Sequence, residues 1–245
     1  MVKKLEINIT KDYDEMSKKA AEIVSSQMVL KKDSILGLAT GSTPIGLYKN
    51  LIEANKCGDI DFSPTKTFNL DEYYGLDRDN SQSYYSFMKE NLFDHINIDI
   101  KNTDIPNCMV SDIESECIDY EERIKAAGGI DIQVLGIGNN GHIGFNEPDN
   151  VFIAKTHLVD LDKGTIEANA RFFDSIDEVP TQAVTMGIQT IMKSKKIILL
   201  ASGKGKADAI YKTINGEIDP RVPASILQLH NDVIIIVDEE AATKL

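Results

Sequence analysis

The chain has no apolar run approaching the ~18 residues that a membrane span needs. Its amino terminus, Met1-Val2-Lys3-Lys4-Leu5-Glu6-Ile7, alternates apolar and charged residues where a secretory leader would carry an uninterrupted apolar stretch. A membrane partner is therefore not expected, and a soluble, cytoplasmic protein is. Cysteine is sparse. Cys57, Cys108 and Cys117 are odd in number, widely spaced and without histidines at ligand spacing, which speaks against a disulfide framework and a zinc site and suits a reducing compartment. Positive charge is also short: 26 basic against 39 acidic side chains leave a net charge of −13. A field of that sign disfavours nucleic acid and anionic lipid, and an anionic small molecule would need a local cluster of donors to overcome it. The sequence has no P-loop lysine, no dinucleotide glycine fingerprint and no Gly-x-Ser-x-Gly elbow, so neither a nucleotide nor a serine nucleophile is indicated.

No internal repeat, low-complexity stretch or Pro/Gly linker divides the chain, and no helix-turn-helix segment precedes its first apolar runs. Its 245 residues suffice to bury roughly three quarters of the unfolded surface in one core. Leu5, Ile7 and Ile9 alternate as a strand. Tyr13, Met16, Ala20, Ile23 and Val24 then recur at helical spacing behind a cap at Asp12, with Glu15 three residues on. Strands are read at Ile35 to Ala39, Thr65 to Leu70, Ile132 to Leu135, Val151 to Val159, Lys196 to Ala201 and Val233 to Asp238. Helices are read through Leu47 and Ile52, through Tyr85 and Leu92, through Ile113 and Ile124, over Ala183 to Met192 and over Lys206 to Ile214, with Pro44 in a first helical turn. Alternating β and α units predict an α/β fold: one Rossmann-like domain over residues 1–245, its mainly parallel sheet covered by helices on both faces.

Four segments, one of them Ser202-Gly203-Lys204-Gly205-Lys206 after Ala201, fall at carboxyl ends of these strands, where open α/β sheets bind ligands. Gly136-Ile137-Gly138-Asn139-Asn140-Gly141-His142-Ile143-Gly144-Phe145-Asn146-Glu147-Pro148 sets four glycines beside a histidine and a carboxylate. It reads either as a solvated flexible loop or as a reactive one in which His142 and Glu147 transfer protons. Thr40-Gly41-Ser42-Thr43 lies between a strand and a helix start, and serves equally as simple capping or as a phosphate site built on free N–H groups. Asp71-Glu72-Tyr73-Tyr74-Gly75 reads as a solvated turn or as the seat of a carboxylate base suited to aldose–ketose chemistry. Arg171 and Lys206 are surface charges unless they face the Thr40–Thr43 turn. His95, His157 and His230 lack partners at ligand spacing and take structural readings, and Tyr84-Tyr85-Ser86-Phe87 reads as helix packing.

Taken together, Ala39-Thr40-Gly41-Ser42-Thr43-Pro44, Phe68-Asn69-Leu70-Asp71-Glu72-Tyr73, Ser83-Tyr84-Tyr85-Ser86-Phe87-Met88, Gly141-His142-Ile143-Gly144-Phe145-Asn146-Glu147-Pro148 and Arg171-Phe172-Phe173-Asp174 closely resemble the glucosamine-6-phosphate deaminases, in order and over nearly the whole chain. The resemblance implies conversion of glucosamine 6-phosphate and water to fructose 6-phosphate and ammonia, in amino-sugar (N-acetylglucosamine) catabolism, with no metal and no organic cofactor. It makes Asp71 the enolisation base and His142 the ring-opening acid/base, with Glu147 beside it. It gives the substrate phosphate to Gly41, Ser42, Thr43, Arg171 and Lys206. Residue 140 also belongs to that catalytic set. Some members carry Asp there, whereas Asn140, which is similar to the shorter, non-allosteric bacterial branch, accepts a hydrogen bond but brings no charge. That branch is compatible with a monomer, and other relatives form hexamers. Asn150, Val151, His157 and Val159 stand where allosteric members hold an N-acetylglucosamine 6-phosphate activator. The related 6-phosphogluconolactonases lack the Phe-Asn-Glu-Pro continuation, and a sugar-phosphate-sensing regulator has no use for the acid/base set.

Overall fold

The computed structural model describes residues 5–161, 164, 166, 173, 175 and 178–245. Seven strands pair in parallel: β1 (Glu6–Thr10), β2 (Ile35–Leu38), β3 (Lys66–Asn69), β5 (Thr103–Asp104), β6 (Ile132–Gly136), β9 (Lys196–Ala201) and β10 (Val233–Asp238), in the order β1-β10-β9-β6-β2-β3-β5. Three others, β4 (Asp71–Tyr73), β7 (His157–Asp160) and β8 (Gln182–Thr185), form a small antiparallel sheet in the order β4-β8-β7. The central strands are apolar on both sides because both sides are covered. Leu36, Leu38, Ile132, Val134, Ile198, Leu200, Ile234 and Ile236 pack toward α1 (Tyr13–Leu30), α2 (Ile45–Lys56) and α3 (Tyr84–Asn91). The alternate residues Ile35, Phe68, Leu135, Ile197, Leu199 and Ile235 pack toward α4 (Ile113–Ala127), α5 (Ile188–Met192) and α6 (Ala207–Asn215). This two-sided alternation is the mainly parallel α/β sheet expected from the sequence.

Local chemistry sets the helix starts. Asp12 caps α1 by accepting from the Glu15 amide at 2.9 Å, and the Glu15 carboxylate reaches back to the Lys11 amide at 3.0 Å. Pro44 stands at the cap of α2, where its missing N–H costs nothing. Gly128, at φ 103°, ends α4 in the left-handed conformation.

Two expectations, and one of the two readings left open for Asp71-Glu72-Tyr73, are corrected. Ala183 to Met192 is not one helix: Gln182–Thr185 is strand β8, and helix α5 begins only at Ile188. Ala183, Val184 and Thr185 pair with both β4 and β7, a non-local demand that overrides the helical spacing of Val184, Ile188 and Ile191. The strand sought at Val151 to Val159 is confined to His157–Asp160. Asp71-Glu72-Tyr73 is not a solvated turn but the buried strand β4. Among the described residues no helix is long and apolar enough to cross a membrane.

Candidate active site

In the central sheet the chain runs outward from β2 through β3 to β5, and in the opposite direction from β6 to β9 and β10. The crevice between β2 and β6 is therefore a topological switch point, and loops following β2, β3, β6 and β9 converge on its carboxyl edge. They enclose a cavity of about 470 Å³ lined by Gly41, Ser42, Thr43, Asp71, Asn140, His142 and Lys206. Seven of the nine site residues read from the sequence thus share one space. Glu147 stands directly behind it, and Arg171, together with its neighbours Phe172 and Asp174, lies outside the described residues.

The turn after β2 is shaped by Gly41, at φ 86°, a conformation other side chains rarely adopt. Tyr13 braces it from α1: its hydroxyl donates to the Ser42 carbonyl at 3.0 Å and accepts from the Gly46 amide at 2.8 Å. Lys206 lines the same cavity, and burial pulls its pKa down. Among the described residues no carboxylate lies within ion-pair distance of it. A half-buried cation that shares a cavity with a turn at a helix start calls for an anion.

The loop after β6 is a tight hydrogen-bonded structure rather than a flexible connection. Gly138 N–H donates to the His142 carbonyl at 2.9 Å, and Gly141 N–H to the Gly138 carbonyl at 3.0 Å. His142 N–H donates to Asn140 Oδ1 at 3.1 Å, and Asn140 Nδ2 donates to Glu147 at 2.7 Å. His142 Nδ1 stands 3.0 Å from the Glu147 carboxylate. A carboxylate only accepts, so Nδ1 carries the hydrogen and Nε2 is left for proton exchange. A Cβ on Gly138 would sit 2.4 Å from His142 Cε1, so the imidazole rests on a bare backbone. Asn146 anchors the far end, donating to the Ile143 and Met186 carbonyls at 2.9 and 2.8 Å.

Asp71 is 6% exposed, and among the described residues no hydrogen bond reaches its carboxylate. Burial, with the adjacent Glu72 charge second, pushes its pKa up to about 8. Its cross-strand partner is Thr185, whose hydroxyl accepts from Phe145 N–H at 3.1 Å and so ties β8 to the histidine loop. Burial pushes Glu72 up as well, opposed by three backbone N–H groups. Among the described residues no three His, Cys, Asp or Glu side chains are grouped to hold a metal ion.

Tyr84 corrects the reading of its run as mere helix packing: it lines the cavity, stacked on Phe145 with ring centroids 6.1 Å apart and planes 11° apart. No local signal distinguishes it from Tyr85, which faces away from that space toward Arg78. The structural readings of two histidines agree with their contacts. His157 Nδ1 meets the Lys155 carbonyl at 2.9 Å, and His230 Nε2 the Ser194 carbonyl at 2.7 Å. Cys57, Cys108 and Cys117 are free thiols.

A family profile described as glucosamine-6-phosphate isomerases/6-phosphogluconolactonase matches residues 11–236. The glucosamine-6-phosphate deaminase of Clostridium novyi (strain NT) is 66% identical over 235 residues, 96% of this chain and 98% of that protein. That of Clostridioides difficile (strain 630) is 61% identical over 241 residues, 98% of this chain and 97% of that one. A solved monomeric glucosamine-6-phosphate deaminase superposes with a TM-score of 0.95 at 46% identity, covering 98% of this chain and all of its own. The 6-phosphogluconolactonase of Thermotoga maritima shares the fold, with a TM-score of 0.77 at 21% identity over 96% of this chain and all of its own. The chain belongs to the glucosamine-6-phosphate isomerase/6-phosphogluconolactonase family, and within it to the glucosamine-6-phosphate deaminases.

Proposed function

We propose that residues 1–245 act as one domain that converts glucosamine 6-phosphate and water to fructose 6-phosphate and ammonia in this cavity. The observation that carries the assignment of roles is that Asp71 and His142, the latter paired with Glu147, line one cavity together with Lys206 and the Gly41–Thr43 turn. Gly41, Ser42, Thr43 and Lys206 hold the substrate phosphate in this reading. Arg171, assigned from the family pattern, joins them.

With Nδ1–H directed at Glu147, His142 takes the proton of the C1 hydroxyl at Nε2 and delivers it to the ring oxygen, opening the pyranose. Asn140 holds Glu147 in place for that step. Asp71, ionised, removes the C2 proton while the substrate's own ammonium gives a proton to O1, which leaves a neutral enolamine, and the carboxylic acid then returns its proton at C1. The C2 imine so formed takes up water and expels ammonia, leaving the ketose. A carboxylate kept in a dry site with its pKa near the working pH suits this return trip, because it must accept and release the same proton. Neither a metal nor an organic cofactor enters the scheme. The chain is assigned to the cytoplasm and read as a monomer, and its likeness to the solved monomeric deaminase supports the second of these.

A coupled assay on the purified protein tests this: ammonia and fructose 6-phosphate should appear in equal amounts from glucosamine 6-phosphate. Turnover of 6-phosphogluconolactone without ammonia release would move the chain to the lactonase side of its family, where no C2 proton shuttle is required.

A further inference from the structure

Asp71 and Glu72 are successive residues of β4 and point to opposite sides. Asp71 lines the catalytic cavity, while Glu72 lines a separate one with Arg78, Tyr85 and Arg123. Glu72 is 4% exposed, yet it is fully occupied. Its Oε1 accepts from the Tyr73 and Tyr84 amides, each at 2.9 Å, and its Oε2 accepts from the Tyr85 amide at 3.0 Å. Tyr84 and Tyr85 are the first two residues of α3, whose amides have no partner within the helix. The neighbouring cap, Ser83 Oγ, accepts from Ser86 N–H at 3.0 Å and leaves those two amides to Glu72. The Arg78 guanidinium lies 3.7 Å over the Tyr85 ring and closes the arrangement from outside.

On the other side of the same helix start, the Tyr84 ring packs against Tyr73 at 4.7 Å and stacks on Phe145 of the histidine loop. One carboxylate therefore bonds the strand that carries the base to the helix that carries a wall of the cavity. We propose that Glu72 is a positioning residue of the deaminase: it pins the start of α3 on β4 and thereby holds Tyr84 over the space in which Asp71 moves the substrate proton. This rests on the activity proposed above. An ionised carboxylate suits the post because it presents acceptors in two directions and no donor, whereas an amide would turn an N–H toward the Tyr85 N–H.

Glu72→Gln keeps size and burial, retains an oxygen for Tyr73 and Tyr84, and breaks only the third bond. In the intact protein it should lower kcat by about tenfold or more, as small misplacements of reacting groups do. The affinity for inorganic phosphate, which reports the Thr40–Thr43 turn and Lys206, should be unchanged. Amide exchange followed by NMR should show Tyr85 N–H protected in the wild type and exposed in the variant. Tyr84→Ala gives a second arm: it should lose kcat to a similar degree, and adding Glu72→Gln to it should cost little more. Wild-type kcat in either variant, or undiminished Tyr85 protection in Glu72→Gln, overturns the proposal. If the wild type itself releases no ammonia, the activity reading fails instead, and the exchange comparison still decides whether Glu72 holds the helix.

Discussion

Asn140 donates to the Glu147 carboxylate at 2.7 Å, and that same carboxylate faces His142 Nδ1 at 3.0 Å. The acid is thus aimed at the imidazole by an amide that cannot itself titrate. A hydrogen bond to a charged group contributes roughly 1.5 to 3 kcal/mol, so Asn140→Ala should lower kcat/KM on cyclic glucosamine 6-phosphate roughly ten- to hundredfold. An open-chain analogue bypasses ring opening and should lose much less. Equal losses on the two compounds would remove Asn140 from the ring-opening step.

Gly138 offers a steric test of the same centre. Gly138→Ala places a methyl 2.4 Å from His142 Cε1, which forces the ring off its seat. Activity on the cyclic substrate is expected to fall about as far as in His142→Gln, with KM for the phosphate-bearing sugar little changed. A Gly138→Ala enzyme with normal turnover would show that the imidazole needs no fixed position.

Asp71 is expected to set the pH behaviour. Its pKa is raised from the ordinary carboxyl value of 3.8 to about 8, so the folded state keeps a proton that the unfolded chain gives up. Stability attributable to this group falls as pH rises between those two values and is lowest above the upper one. Asp71→Asn should therefore raise Tm at pH 9, each kcal/mol gained being worth roughly 2–4 °C in a chain of this size, and should leave Tm unchanged at pH 3. In the wild type, kcat/KM should climb about tenfold per pH unit until the ionised form dominates, while the Asn variant should bind substrate without exchanging its C2 proton. Differential scanning calorimetry across that range and solvent-exchange NMR check the two halves. A wild type whose kcat/KM is flat from pH 6 to pH 9 would count against Asp71 as the base.

Lys206 lines the cavity without a carboxylate partner among the described residues, so its removal should be felt in binding. Lys206→Ala is expected to raise KM by roughly ten- to hundredfold for the phosphorylated sugar and much less for free glucosamine. Unchanged discrimination between the two would place the phosphate elsewhere.

The cavity behind Glu147, about 170 Å³ and lined by Val151, His157 and Val159, has no lysine or arginine lining it among the described residues. A phosphorylated effector finds little differential contact there. Hyperbolic saturation by glucosamine 6-phosphate, unaltered by N-acetylglucosamine 6-phosphate, is the expected result. A sigmoidal curve made hyperbolic by that compound would overturn it.

What was legible in the sequence was the chemistry that is written locally. The glycine spacing from Gly136 to Gly144 gives away a constrained loop, and Asp12 with Glu15 gives away a helix start. The apolar runs of β6, β9 and β10 declare strands buried on both faces. What was not legible depends on distant partners. Asp71-Glu72-Tyr73 becomes a strand only because Ala183 to Thr185 lies alongside it, and the apolar spacing around Val184 suits a helix until that pairing exists. Tyr84 and Tyr85 are equivalent on paper, and their opposite orientations follow from the anchoring of α3 on β4. The glutamate responsible stands next to the proposed base, where its neighbour's chemistry obscures its own.

The placement of β10 between β1 and β9 has a consequence for how the molecule is made. Thr10 Oγ1 donates to the Val237 carbonyl across 227 positions of chain, so β1 meets its partner only after the residues up to β10 have left the ribosome. Until then β1 and β9 each present an open edge, and pairing over such a separation carries a large loop-closure cost. Closure of the central sheet is accordingly expected to be slow and to wait for insertion of β10, and a nascent chain stalled before Val233 should be a substrate for chaperones.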